Sequence, residues 1–90
     1  MEEVVKEFEL ESGEKIKVYK PKVKHLVRAQ QMIKSSEELV VALISQVVEI
    51  NGQKKPYEEW LNLDLSLFMR IVGEIAPFLG VSQKILQFQF

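Results

Sequence analysis

The sequence contains no cysteine, a single histidine and a single tryptophan, with only four glycines and three prolines in 90 residues. Without cysteine there is no disulfide framework, no thiolate nucleophile and no thiolate zinc site. One histidine, His25, cannot build a His-rich metal centre, and it leaves a Ser-His pair with only one base to draw on. No segment approaches the ~18 uninterrupted apolar residues of a membrane span, and the acidic opening MEEVVKEFEL has no signal-peptide apolar region. These absences lead to the expectation of a cytoplasmic, non-enzymatic protein that needs no cofactor or metal. Dinucleotide, Walker and HExxH spacings are also missing, and ESGEK (residues 11–15) lacks the second glycine and the length of a phosphate loop.

What is present is apolar content, 47% of the chain against 28% charged, which is the balance of a folded globule. Ninety residues make one domain, and a chain of that size buries only about 60 to 65% of the surface its unfolded form exposes. The net charge of −1 is unevenly laid out: residues 1–14 carry six Glu and one Lys, whereas residues 15–34 carry seven Lys or Arg and no acid.

The first part of that asymmetry has a structural explanation. Residues 4–11 and 15–20 alternate apolar and polar around ESGEK, the pattern of a half-exposed antiparallel hairpin. Phe8 and Leu10 must share a face with Ile16 and Val18. The expected register sets Leu10 opposite Ile16 and Phe8 opposite Val18 around an odd-numbered loop centred on Gly13, with Glu11–Lys15 and Glu9–Lys17 as outer charge pairs.

Pro21 opens a basic helix over 22–33, with Val23, Leu26, Ala29, Gln30 and Ile33 toward one side, Lys24 and Arg28 on another, and His25 in solvent. Ser35 and Glu38 stand at capping-box spacing before a helix that ends at Asn51-Gly52, where glycine suits the left-handed terminal position. The β-branched Val40, Val41, Val47 and Val48 allow a strand on propensity alone, but length and caps favour helix. Pro56 opens a short helix bearing Tyr57, Trp60 and Leu61, with Trp60 expected in the core. The acid pairs Glu37-Glu38 and Glu58-Glu59 fall in first helical turns, where exposed N–H groups favour negative charge without any catalytic role.

Asp64 caps the last helix, DLSLFMRIVGEIAPFLG, and Gly73 with Pro77 predicts a bend near its end. Leu65, Phe68, Met69, Val72, Ala76 and Leu79 make one face of this helix, Leu67, Ile71 and Phe78 a second stripe, and Ile75 joins the two. Leu65, Phe68 and Val72 can be buried inside the protein or covered by a partner, while Leu67, Ile71, Ile75 and Phe78 are expected to receive a partner, together with Leu86, Phe88 and Phe90 of the alternating tail VSQKILQFQF. The fold class is α+β: an N-terminal β-hairpin packed on three to four helices over residues 1–80, followed by an apolar tail over 81–90.

PKVKHLVRAQ (21–30), the capped helix ending VVEINGQ, and YEEWLNLDLSLFMRIVGEIAPFLG together resemble the small tail assembly chaperones of long-tailed bacteriophages, in particular the Mu-like phage tail assembly proteins. The corresponding parts are Phe8 to Tyr19, Pro21 to Gln30, Leu39 to Gly52, and Leu61, Asp64, Leu67, Ile71, Phe78 and Leu79, covering about 70 of the 90 residues. The resemblance implies a protein that binds the long helical tape measure protein in the bacterial cytoplasm and is absent from the mature virion. It also implies a longer frameshifted product that recruits the tail tube protein. The tail beyond residue 80 extends past that family pattern. Self-association as a homo-oligomer is a further way to cover the apolar surface. The alternative from another class is a small DNA-binding regulator using the basic helix 22–33, although a near-neutral chain without Arg-rich or aromatic interleaving is a poor nucleic-acid binder.

Overall fold

The computed structural model describes residues 2–79. Strand β1 (Val4–Glu9) turns back into β2 (Lys15–Tyr19), helix α1 (Val23–Met32) follows, and a 3₁₀ turn at Ser36–Glu38 leads into α2 (Leu39–Val47). Next come β3 (Val48–Ile50), α3 (Tyr57–Leu61), α4 (Leu65–Ile75) and a closing 3₁₀ turn, Ala76–Leu79. The sheet is antiparallel in the order β1-β2-β3, so the α+β architecture with an N-terminal hairpin holds, with one strand more than expected.

The faces of the hairpin follow the alternation, but its register is shifted by two residues. Phe8 pairs with Ile16, Glu9 with Lys15 and Glu7 with Lys17. The reason lies in the loop. Leu10 N–H donates to the Glu14 carbonyl at 2.9 Å and Gly13 N–H to the Leu10 carbonyl at 2.8 Å, with Gly13 at φ 100°. In a three-residue hairpin loop the left-handed glycine is the last loop residue and not the middle one, so the loop centres on Ser12. Even parity survives the shift, which is why Ile16 and Val18 still face inward. The outer charge pairs become Glu9–Lys15 and Glu7–Lys17, the latter 3.5 Å apart. A bulge between Val4 and Lys6 lets half-buried Val5 reach the core.

Residues 48–50, expected as the end of a long helix, are a strand instead. The chain passes from Val47 straight into β3, which pairs Val48 with Val18 and Ile50 with Ile16. Asn51 (φ 53°) and Gly52 (φ 83°) are both left-handed, and Ile50 and Gln53 exchange N–H···O bonds of 2.9 and 3.2 Å across them. Two successive positive φ values make a tight reversal of the kind that suits strands, a geometry Asn-Gly adopts readily. Asn51 also ties β3 to β2: its N–H donates to the Lys15 carbonyl at 2.8 Å and its Oδ1 accepts from Lys15 N–H at 2.9 Å.

The core forms where the inner sheet face meets the helices. Leu10, Ile16, Val18, Val48 and Ile50 join Val40, Ile44 and Val47 of α2, Trp60 of α3, and Phe68, Ile71, Val72 and Ile75 of α4 in one buried cluster. Each such side chain contributes on the order of 1.5–3 kcal/mol of transfer free energy. Trp60 is a core residue as expected, edge-on to Phe68 at 6.3 Å and 75°. Asp64 caps α4 by accepting from Leu67 N–H at 3.1 Å. The helix gives way to the 3₁₀ turn one residue before Pro77, where the ring cannot donate to the ladder.

Candidate protein-binding surface

The phase of α4 decides which of its many apolar residues remain outside. Phe68, Ile71, Val72 and Ile75, at i, i+3, i+4 and i+7, are buried, and this stripe runs between the two faces read from the sequence. Ile71 and Ile75, expected to meet a partner, are fully buried at 0% exposure and belong to the core. Ser66, Arg70, Gly73 and Glu74 share the opposite, exposed side of the helix, so its polar residues mark the same rotation. Leu67 is half-buried against the core and Phe78 is 40% exposed. Leu86, Phe88 and Phe90 lie outside the described residues. Leu65 and Met69, read on the same face as Phe68 and Val72, are the exposed apolar side chains of α4.

A second apolar surface lies on α1. Val23 (76% exposed), Leu26 and Val27 stand at i, i+3 and i+4 on the side of the helix turned away from the core, and Gln30 continues the row. Of the residues read toward one side of this helix, Val23, Leu26, Ala29, Gln30 and Ile33, only Ala29 is fully buried.

The buried side of α1 is held by His25, which is 3% exposed and not solvated. Its Nδ1 accepts from Lys22 N–H at 2.9 Å, while its own N–H donates to the Lys22 carbonyl at 2.9 Å. A histidine thus fills the place that Glu or Gln takes in a capping box. The His25 carbonyl accepts from Gln46 Nε2 at 2.6 Å, fastening α1 to α2. Burial, then the neighbouring Lys24 charge, lowers the imidazole pKa below its ordinary 6.5 and favours the neutral form that can accept at Nδ1.

The charges divide into a paired set and an unpaired one. Lys17 bonds Glu7, Lys6 reaches from β1 to Glu74 of α4 at 2.6 Å, and Lys54 sits on Glu2 at 2.5 Å and over the Tyr19 ring at 4.7 Å. The Tyr19 hydroxyl donates to Glu49 at 2.6 Å, and that carboxylate holds the phenol pKa up at about 12. Lys20, Lys22, Lys24 and Arg28, by contrast, have no ion-pair partner among the described residues.

The paired acids of the sequence are spent on structure. Glu38 accepts from the Tyr57 hydroxyl, the main cause of its lowered pKa, and from Ser35 N–H at 3.2 Å. Glu59 lies 4.0 Å from Lys55. Among the described residues no three His, Asp or Glu side chains are grouped to hold a metal ion, and no helix is long and apolar enough to cross a membrane. A depression on the outer sheet face is lined in part by Glu7, Glu9, Lys15, Lys17, Glu49 and Asn51, charges that largely neutralise one another. No known family, curated protein or solved structure matches the chain.

Proposed function

We propose that the chain is a phage tail assembly chaperone, a non-enzymatic domain that binds the tape measure protein in the bacterial cytoplasm and keeps it soluble until tail tube subunits polymerise around it. The observation that carries this reading is apolar helical surface left outside the core: Val23, Leu26 and Val27 on α1, and Leu65 and Met69 on α4. Surface of this kind, at helical spacing, fits a helical client whose own apolar stripe needs cover. The resemblance of the sequence to the small tail assembly chaperones points to the same kind of client. On this reading the protein leaves before the virion matures, and a longer frameshifted form brings in the tail tube protein.

Co-expression with the tape measure protein encoded beside it tests the proposal. The expected result is a soluble complex that co-purifies in moderate salt, because apolar burial, unlike phosphate binding, does not weaken as salt rises. A tape measure protein that stays insoluble, with this chain running alone, sinks the proposal.

A further inference from the structure

We infer that the outward face of α1 is the docking site for an acidic amphipathic helix of the client, an inference that rests on the chaperone reading above. Two properties coincide there. The ridge farthest from the core is apolar, formed by Val23, Leu26 and Val27, where an ordinary surface helix carries charge. Along one flank run Lys24 and Arg28, one turn apart, with Lys22 at the N-cap and Lys20 just before it. None of these four cations has an ion-pair partner among the described residues, and residues 15–34 contain no acid. Glu2, which senses Lys24 at longer range, has both carboxylate oxygens on Lys54 at 2.5 Å.

The chemistry of this surface selects its occupant. A second copy docked face to face would bring the same cations and no acid from its own α1 to the seam. A nucleic acid would meet valine and leucine on the outermost ridge, where phosphates need donors. A neutral amphipathic helix would cover the ridge and leave the cations unneutralised. A helix with apolar residues at i, i+3 or i+4 and i+7, flanked by Glu or Asp, satisfies both features at once. The exposed face of α4 differs: Leu65 and Met69 have Arg70 beside them, but no cluster of unpaired cations.

The test uses two labelled three-heptad peptides with leucine at both seam positions, one flanked by Glu and one by Lys, titrated with the whole protein by fluorescence anisotropy. The Glu-flanked peptide should bind at least about tenfold more tightly than its Lys-flanked twin. V23S/V27S should weaken it by roughly tenfold or more while leaving the melting curve in place. K24E/R28E should reverse the preference, and L65S/M69S should change nothing. Equal binding of the two peptides overturns the inference, as does loss of binding in L65S/M69S but not in V23S/V27S. Tight binding of a short DNA duplex that K24E/R28E abolishes and V23S/V27S spares would also overturn it, assigning the cations to nucleic acid. Co-expression separates this from the chaperone reading. If V23S/V27S solubilises the tape measure protein as well as the unaltered chain does, the α1 site alone is wrong. If the unaltered chain fails to solubilise it while the peptide preference holds, the chaperone reading alone is wrong.

Discussion

Helices α4 and α1 are both rich in apolar residues, yet they spend them in opposite ways. In α4 the residues Phe68, Ile71, Val72 and Ile75 are drawn into the same cluster as the inner sheet face and α2. In α1 only Ala29 and His25 are buried, and Val23, Leu26 and Val27 stay outside. The helix that looks overloaded is therefore the central one, and the more modest helix keeps the free surface. Apolar content says how much a helix wants to bury; its place in the fold says whether the burial has already happened.

Ile71→Asp should break the comparison most violently. Opening a cavity and burying a carboxylate at a 0% exposed position should cost about 4 kcal/mol or more, a large part of a small domain's stability, so the cooperative urea transition should vanish. Val27→Asp on the outer face of α1 should move the midpoint by no more than about 0.5 kcal/mol. Trp60→Ala, which removes the partner of Phe68, should cost about 3–5 kcal/mol in the same assay. If Ile71→Asp instead folded normally, α4 would be the free surface after all.

Smaller effects sharpen the picture at its joints. Gly52→Ala forces a side chain to φ 83° and should cost about 1–2 kcal/mol, a loss read from thermal melts. His25→Ala removes the α1 cap and should cost about 1 kcal/mol. Because the folded-state imidazole pKa is depressed, its contribution is fully present above the unfolded value of 6.5 and is lost as pH falls below it toward the folded value. The slope of stability against pH just below 6.5 should therefore flatten in His25→Ala. Glu7→Gln, at the exposed pair with Lys17, should change stability by only about a few tenths of a kcal/mol, and less still in high salt.

How far the sequence reaches depends on whether a pattern fixes phase. The alternation on either side of ESGEK identifies the hairpin and its inner face, but not the register, because the asymmetric role of Gly13 in the loop decides that. Asn51-Gly52 correctly marks an end, yet its two left-handed residues close a strand reversal and not a helix, and β3 begins without any breaker between Val47 and Val48. The Asp64 cap and a break in the helix near Pro77 are legible because each depends on one residue's local chemistry, although the break ends α4 at Ile75 where a bend was expected. The rotation of α4 was legible as well: its buried stripe lies opposite Ser66, Arg70 and Glu74, and splitting the apolar residues into two faces obscured it. On α1 the signal was available in the acid-free stretch 15–34, which leaves cations unanswered beside Val23 and Val27. His25 hid the rotation, because a cap built from imidazole reads as an ordinary surface histidine.

The central claim, that α4 is spent on the core while α1 is free to bind, is tested most directly by amide hydrogen exchange on the protein alone and with the Glu-flanked peptide bound. The amides of 71–75 should already be slow in the free protein and unchanged in the complex, while those of 23–32 should gain protection on binding. New protection along α4, with α1 exchanging as before, would contradict the account.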